Sequence, residues 1–344
     1  MRNRNITITV YSLTHFLVDF ACAYLIFHKL YTSYQFYFLL LIYNFCAFAM
    51  QMPFGLFADR LNKNSLIASA GCCLVAMAFG FCNIPLLAVL LIGIGNSLFH
   101  IGGGIEILNL STEKAAPLGI FVSPGAFGIY FGTILGKLSS FPDFIVIIML
   151  LLSAVVILSN GFTIKHSFSS ENEPVSFHGI SQLGVLFAIA CLFIVVCMRS
   201  YVGMALSFPW KGQGQWGLIL VCAVVLGKAA GGFLADWFGA KKAAILSLGL
   251  AALLFLFSDY PAAGVLAVLL FNMTMPITLW AIAQKMKGCK GFAFGILTFG
   301  LFLGFLPVYF QMNAPMALPV SVGFAAASVL SLVLLLSGLH KVET

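Results

Sequence analysis

The sequence predicts an all-α integral membrane protein of twelve transmembrane helices arranged as two six-helix bundles. Three observations lead to this prediction. Of the 344 residues, 62% are hydrophobic and only 8% are charged, whereas ordinary soluble domains carry about 25% charged residues. Apolar runs near the bilayer-spanning length of about 20 residues fill most of the chain, and the basic residues fall in alternate loops. Little length remains for a soluble catalytic or nucleotide-binding domain.

The apolar runs set the predicted spans, because a helix rises 1.5 Å per residue and must cross the hydrocarbon core. In chain order the runs cover residues 6–28, 34–56, 65–81, 84–109, 117–137, 142–162, 180–207, 215–235, 243–258, 261–284, 290–310 and 317–339. A polar segment, residues 165–178, follows the sixth run and is the predicted cytoplasmic linker. The predicted bundles are therefore residues 1–164 and residues 179–344.

The positions of lysine and arginine predict the orientation. With the N-terminus inside, three basic residues are outside, at Lys29, Lys137 and Lys211, and most of the others are in inner loops. The inner set is Arg2, Arg4, Arg60, Lys63, Lys114, Lys165, Lys241, Lys242, Lys285, Lys287, Lys290 and Lys341. Cytoplasmic loops are enriched in positive residues. We expect a multi-pass plasma-membrane protein with both termini in the cytoplasm, and the net charge of +7 requires no nucleic-acid partner.

Cysteine spacing gives no sign of a metal site. Nine cysteines lie almost entirely inside apolar runs, and none has zinc-like spacing. Such cysteines behave as small buried hydrophobic residues. We expect no metal and no cofactor. The expected partners are the lipid bilayer, a small-molecule substrate and protons, with the chain acting as a monomer.

A charged turn occurs twice, about half a chain length apart. The first copy contains Gly55, Asp59 and Arg60, and the second contains Gly232 and Asp236. Each reads as a tight connection at one membrane face, with a glycine where helices approach closely. The carboxylate is expected to accept hydrogen bonds from the free N–H groups at the start of the next helix. Two copies of one turn indicate a chain built from two similar halves.

A second repeat supports parallel halves. The fifth and eleventh predicted spans share glycine and phenylalanine positions at the same spacing, namely Gly119, Phe127, Gly128 and Gly132 in one and Gly291, Phe299, Gly300 and Gly304 in the other. An even number of spans separates the copies, so both halves have one orientation. Glycines four residues apart let helices pack closely in lipid.

Several polar residues fall inside predicted spans, where a charge costs roughly 2.5–3.5 kcal/mol on insertion scales. His15 and Asp19 are four residues apart and share one face of the first span. The fourth span contains Asn96 and His100 near its middle and Glu106 near its inner end. Asp19 is the candidate proton-coupling carboxylate, with His15 beside it, because a carboxyl group can alternate between charged and neutral forms.

The second half contributes cations. Arg199 and Lys228 lie in the seventh and eighth spans, and Asn272 lies in the tenth. A cleft between the halves would have an acidic and a basic wall, which favours an anionic or polar substrate. The candidate substrate-binding residues are Arg199, Lys228, His100, Asn96 and Asn272. Structural roles stay open beside these: an Arg60–Glu106 pair, a Lys228–Asp236 pair, an Asp19–Arg199 pair, and a packing role for His100.

The repeated turns resemble the loop signature between helices two and three, and eight and nine, of the major facilitator superfamily of secondary transporters. The matching residues are Gly55, Ala58, Asp59, Arg60 and Lys63, then Gly232, Ala235, Asp236, Gly239 and Lys241. Asn62 stands where the family usually has glycine, and Trp237 replaces the usual arginine. The resemblance implies the major facilitator fold and a gating role for Gly55, Asp59, Arg60, Glu106, Gly232 and Asp236.

Three further stretches are similar to the fosmidomycin-resistance-type branch of that superfamily. They run from Thr14 to Asp19, from Gly93 to His100, and from Gly125 to Gly128. The branch is associated with proton-driven export. This sequence departs from it at Ile101, where a proline is usual, and at Ser123, where the antiporter-type motif has glycine.

These observations predict a secondary active transporter, not an enzyme, that moves a small anionic or polar molecule by alternating access, with proton-coupled export. The alternatives are proton-coupled uptake of a small organic anion or nutrient, and a channel or sensor. A membrane acyltransferase would need a histidine base beside a carboxylate. Such sites lie near a membrane face, whereas His15 and Asp19 are placed mid-span.

Overall fold

The structure, a computed structural model, describes residues 2–139, 141–164, 174–177, 180, 182–312 and 320–340, and these residues form helices joined by short turns. All the helices named here except α9 are long and apolar enough to cross a membrane. In chain order they are α1 (Arg4–Leu30), α2 (Phe36–Leu61), α3 (Asn64–Phe81), α4 (Pro85–Asn109), α5 (Ala116–Leu138), α6 (Asp143–Gly161), α7 (Leu183–Ala205), α8 (Trp216–Phe238), α9 (Ala240–Phe255), α10 (Pro261–Lys285), α11 (Lys287–Tyr309) and α12 (Val320–Leu339).

The multi-pass, all-helical architecture is confirmed, with eleven candidate spans among the described residues. Helix α9 lies where the ninth span was predicted, but it has 16 residues. At 1.5 Å per residue it is about 24 Å long, which is shorter than a hydrocarbon core of about 30 Å. The count of twelve transmembrane helices therefore stays a prediction.

Helix α2 is longer than the sequence predicted. The predicted span ends at residue 56, whereas the helix continues to Leu61 and stops at Asn62, which has a left-handed backbone with φ 51°. The Asn62 N–H donates to the carbonyl of Ala58 at 2.9 Å, as in a helix that ends on a left-handed residue. Asparagine tolerates this conformation, which explains how it replaces glycine here. Gly55 and Asp59 thus lie inside the helix and not in a turn.

The chain forms two compact units. The first contains Met1–Leu110, Pro124–Ser176 and Gly288–Phe299, and the second contains Ser111–Ser123, Phe177–Lys287 and Gly300–Thr344. Helices α5 and α11 each contribute to both units. Most of the predicted linker, residues 165–173 and 178, lies outside the described residues, so the predicted division at this segment stays a prediction.

In the first unit, α1 packs along α5 and α3 packs along α4. Glycines make the α1–α5 approach possible, because a Cβ at Gly128 or Gly132 would overlap a carbonyl oxygen of α1, that of Phe16 or Phe20. Close backbone contact through small residues is the usual way in which helices associate in lipid. The result is that α1 is held along its length against α5.

Helices of the second unit also pack closely at glycine residues. Helix α8 packs against α10, where a Cβ at Gly227 or Gly231 would overlap the carbonyl oxygens of Leu269 or Met273. Helix α9 packs against α12, and α12 packs against α7. Both units therefore depend on glycines at helix crossings.

We predict that Gly132→Ala lowers the unfolding temperature of the purified protein in detergent. Alanine favours helix by about 1 kcal/mol over glycine, but the overlap with Phe20 should cost more, since overpacking typically costs about 1–3 kcal/mol. Gly249→Ala in α9 is the matched control, because a Cβ there meets nothing within 4 Å. A Gly132 variant as stable as the Gly249 variant would contradict the tight α1–α5 contact.

Candidate functional site

A buried cluster of three ionisable side chains joins α1 to α4. His15 and Asp19 come from α1 and His100 comes from α4, and their exposed fractions are 5%, 8% and 8%. His15 Nε2 lies 3.2 Å from Asp19 Oδ2 and 3.0 Å from His100 Nε2. His100 Nε2 lies 3.7 Å from Asp19 Oδ1. The structure therefore brings both residues of the predicted proton-coupling pair together with His100.

Asn96, one helical turn before His100, fixes the orientation of two members of this cluster. Its side-chain Nδ2 donates to Asp19 Oδ1 at 3.0 Å, and its backbone carbonyl lies 2.9 Å from His100 Nδ1. Because a carbonyl oxygen only accepts, His100 must carry a proton on Nδ1. When that imidazole is neutral, its Nε2 presents a lone pair to His15.

Gly125 leaves the space in which these groups meet. Helix α5 bends at Ser123, immediately before Pro124, which has no N–H to continue the hydrogen-bond ladder. The next residue, Gly125, faces the cluster, and a Cβ there would overlap both Asp19 Oδ2 and His15 Nε2. The bend and the glycine together bring the α5 backbone against the cluster.

Further polar groups continue the network away from the imidazoles. Asn96 Nδ2 lies 3.8 Å from the sulfur of Cys22, and Cys22 in turn hydrogen-bonds Tyr43. The amide oxygen of Asn96 is buried and has no hydrogen-bond partner. A chain of exchangeable groups around one carboxylate is able to hold and pass on a proton.

The predicted substrate-binding cations lie in the second unit. Arg199 is 8% exposed, and its Nη1 lies 3.5 Å from the hydroxyl of Thr278. Lys228 is half-buried and donates to the Val122 carbonyl at 3.3 Å. Asn272 donates to the carbonyl of Val268, one turn earlier in its own helix, at 2.8 Å.

Asp59 contacts a different helix from the one expected. Its two oxygens accept the backbone N–H groups of Gly291 at 2.8 Å and Phe292 at 2.9 Å, 232 and 233 positions along the chain. The expectation that it would cap the next helix in sequence, which starts at Asn64, is wrong. Gly55 lies so close to Gly291 that a Cβ would overlap its carbonyl, and this approach carries the carboxylate to the start of α11.

Asp236 makes the corresponding contact in the second unit. It accepts the N–H groups of Ala115 at 2.6 Å and Ala116 at 3.2 Å, at the start of α5. A Cβ at Gly232 would lie 2.7 Å from the Cα of Ala116. Each repeated motif therefore places a carboxylate on the unpaired N–H groups at a helix N-terminus, where negative charge is favourable.

Glu106 and Arg60 do not form the ion pair that was left open. Glu106 hydrogen-bonds Asn64 at the start of α3, whereas Arg60 is exposed. Neither residue takes part in the salt bridges formed by Asp19 and Asp143, which contact His15, His28, Lys29 and His100. The half-buried position of Glu106 beside Asn64 accounts for the difference.

Sequence reasoning missed the contacts at the C-terminal end of α4. Arg4 Nη2 donates to the carbonyl of Leu110 at 2.7 Å, and Lys290 Nζ lies 3.1 Å from the amide oxygen of Asn109. Arg4 thereby satisfies one of the last backbone carbonyls of the helix, where positive charge is favourable, whereas Lys290 contacts a side chain. Both residues are visible in the sequence as basic residues outside or at the edge of predicted spans. Their positions predict membrane orientation, but they do not predict which helix end each side chain contacts.

Comparisons with known proteins agree with the fold. The E. coli fucose:proton symporter FucP matches with a TM-score of 0.63 at 15% identity, over 97% of this chain and 98% of that one. A bacterial homologue of the iron transporter ferroportin, in an outward-facing state with soaked iron, matches with a TM-score of 0.65 at 14% identity, over 97% and 99%.

A second FucP structure, described as a Major Facilitator Superfamily transporter in the outward conformation, matches at 13% identity with a TM-score of 0.63, over 96% of this chain and 98% of that one. No family model matches the chain, and no curated protein matches it. The likeness to solved structures establishes that the chain has the fold of the major facilitator superfamily.

We predict that Asp59→Asn and Asp236→Asn each lower stability in detergent by about 1–3 kcal/mol, because one amide oxygen cannot replace two charged acceptors. Asp259→Asn is the control, since Asp259 is exposed in a turn. Unfolding midpoints in a denaturant series give the comparison. If the Asp59 and Asp236 variants unfold like the Asp259 variant, the two caps contribute nothing to stability.

Proposed function

We propose that this protein is a secondary active transporter that moves a small molecule across the membrane by alternating access, coupled to protons. Three features support the proposal: the helices long enough to span a bilayer, a fold shared with transporters, and the buried cluster of His15, Asp19 and His100. The last feature carries the proposal, since ionisable groups inside a membrane are costly and mark ion or substrate pathways.

Asp19 is the proposed proton carrier. The ionisable groups near it are His15 and His100, with Cys22 and Tyr43 one step further along the network. When Asp19 is ionised and both imidazoles are neutral, the carboxylate charge is met by the Asn96 amide, which donates to Oδ1 at 3.0 Å. When Asp19 is protonated, the cluster is neutral and the conformational change carries no buried charge.

Arg199 is the proposed substrate contact, with Lys228, Asn272, Asn96 and His100 as further candidates. Arg199 has a neutral partner, Thr278, at 3.5 Å, and a buried guanidinium gains much from an anionic ligand. We therefore favour an anionic or polar substrate. The alternative Asp19–Arg199 pair does not form in the structure, where Asp19 contacts His15, His100 and Asn96 and Arg199 contacts Thr278.

The two aspartate caps are proposed gates. Asp59 and Asp236 each hold a helix N-terminus through its N–H groups, beside Gly55 and Gly232 respectively, and we propose that these contacts break and form again during the conformational change. Arg60 and Glu106 remain gating candidates by resemblance alone. Removing a cap should change the balance between conformations and leave intrinsic substrate affinity nearly unchanged.

Export is favoured by the resemblance of His15, Asp19 and His100 to the fosmidomycin-resistance-type branch. Uptake is the second candidate, because a structural neighbour is a fucose:proton symporter, and a symporter moves both species in one direction. The proposal also includes membership of that branch and twelve transmembrane helices in two six-helix bundles. It further includes a plasma-membrane location with cytoplasmic termini, and a monomeric state.

We predict that Asp19→Asn abolishes transport driven by a pH gradient and retains substrate binding. Asparagine keeps the shape of the protonated carboxyl but cannot ionise, so the coupling step is lost. Proteoliposomes with an imposed pH gradient measure accumulation, and titration at several pH values measures binding. Wild-type affinity should vary with pH, and this variation should flatten in the variant. Asp259→Asn controls for a carboxylate lost elsewhere; accumulation that survives in Asp19→Asn would place the coupling site at another residue.

We predict that Arg199→Gln weakens binding of an anionic substrate by about 10- to 150-fold, the equivalent of roughly 1.5–3 kcal/mol for a hydrogen bond to a charged group. Arg199→Lys should restore part of this affinity, because the charge returns without the planar fork. A thermal-shift screen of phosphonates, carboxylates and cationic drugs supplies the ligand. Lys211→Gln, in the loop after α7, is the control. Unchanged affinity with reduced stability would assign Arg199 a structural role.

A further inference from the structure

We propose that His15, His100 and Asp19 form a binding site for a divalent first-row transition-metal ion. The ligand atoms of these three residues all lie within 4.8 Å of one another. Two imidazoles and one carboxylate suit ions such as iron(II), manganese(II), cobalt(II) and zinc(II). The expectation of no metal site rested on cysteine spacing, which carries no information about a histidine and carboxylate set.

The separations match those of ligands around one ion. Nitrogen and oxygen ligands lie about 2.0–2.2 Å from such a metal, so two of them at 90–109° lie about 2.8–3.6 Å apart. The His15–His100 separation is 3.0 Å and the His15–Asp19 separation is 3.2 Å. His100 Nε2 lies 3.7 Å from the other carboxylate oxygen, Asp19 Oδ1, so both imidazoles face the same carboxylate.

The groups behind the ligands have the arrangement that orients a metal site. His100 donates its Nδ1–H to the Asn96 carbonyl and so directs the lone pair of Nε2 into the cluster. The side-chain amide of Asn96 donates to Asp19 Oδ1, which leaves Oδ2 facing His15. Hydrogen bonds of this kind set the tautomer and the basicity of metal ligands.

Two independent observations indicate that the site accommodates a ligand. Gly125 keeps side-chain atoms out of the position beside His15 Nε2 and Asp19 Oδ2. The amide oxygen of Asn96, a residue 2% exposed, is buried without a hydrogen-bond partner. A water bound to the ion is a suitable partner for that oxygen, because a metal-bound water is a strong donor.

The inference rests on the proposed transport function. It makes the metal ion bound by His15, Asp19 and His100 a transported substrate. The ion binds an ionised carboxylate, so loading displaces the proton that Asp19 carries in the proposed function, whereas the Nε2 proton of a neutral His15 moves to Nδ1 and stays on the ring. The ligand set disfavours magnesium and calcium, which prefer oxygen-only sites. Arg199 remains the proposed anion contact of the second unit.

The first test is metal binding by the full-length purified protein. Isothermal titration with zinc(II) and cobalt(II) should show one site, bound at least about 100-fold more tightly than magnesium(II). His15→Gln and His100→Gln should each weaken cobalt binding by more than about 10-fold, since even indirect changes around a metal cost 10- to 100-fold. His28→Gln, at the outer end of α1 beside Ser139, should bind like wild type. Wild-type affinity for zinc equal to that for magnesium would overturn the proposal.

A further variant tests whether loss of metal binding in the histidine variants results from misfolding. Gly125→Ala keeps all three ligands but places a Cβ against His15 Nε2 and Asp19 Oδ2. We expect it to lose the absorption bands of bound cobalt while a thermal unfolding transition remains. Wild-type cobalt spectra in this variant, or in both histidine variants, would show that the ion binds elsewhere and would overturn the site.

Transport separates this inference from the proposed function. Proteoliposomes that contain a metal-sensitive dye should accumulate zinc under a pH gradient, and His100→Gln should not. Proton-driven transport of another substrate without metal binding would overturn only the metal site. Metal binding without translocation in either direction would overturn the cargo assignment and would also count against the proposed transporter.

Discussion

The energetic cost of placing charge in a low-dielectric interior is the constraint on which this structure depends. In water an ionised carboxylate is solvated at little cost, but within a membrane span its charge must be met by protein groups. Asp19 is met by two imidazoles and an amide. Asp59 and Asp236 are met by backbone N–H groups at helix ends. In each case the carboxylate on one helix binds groups on another helix. The same contacts that stabilise the charge therefore also hold two helices next to each other.

Glycine makes these solutions possible, because an aspartate side chain is short. Asp59 reaches two N–H groups of α11 only if the backbones of α2 and α11 approach within backbone contact, and Gly55 and Gly291 permit this. Gly232 has the same role for Asp236. The pairing of glycine with aspartate one turn later is thus a single physical unit: the glycine sets the distance and the carboxylate uses it. Without the glycine the carboxylate would not reach the N–H groups, and without the carboxylate the close approach would leave those N–H groups without an acceptor.

Much of the fold follows from local sequence, whereas the partners of the polar residues do not. Apolar length located the spans, because crossing the bilayer is a property of each segment alone. It ended α2 too early, since hydropathy falls at Asp59 while the helical hydrogen bonds continue to Asn62. The faces of helices were also predictable, as for His15 and Asp19. That Asp59 contacts Gly291, or that His100 meets His15, depends on packing between distant segments, which a single sequence does not encode in any local pattern.

The two units hold their ionisable groups in different ways, and this difference bears on function. In the first unit the carboxylate of Asp19 lies beside two imidazoles, which themselves exchange protons, so its charge can change within the cluster. In the second unit the buried Arg199 has a neutral partner, the hydroxyl of Thr278 at 3.5 Å, and this hydroxyl carries no charge that could offset the guanidinium. Under the two proposals, a cation or a proton suits the site in the first unit, and an anionic ligand suits the site in the second unit. The guanidinium of Arg199 cannot be neutralised as the carboxyl of Asp19 can, so its burial is unfavourable without an anion beside it, and this is the physical reason for proposing an anionic substrate there.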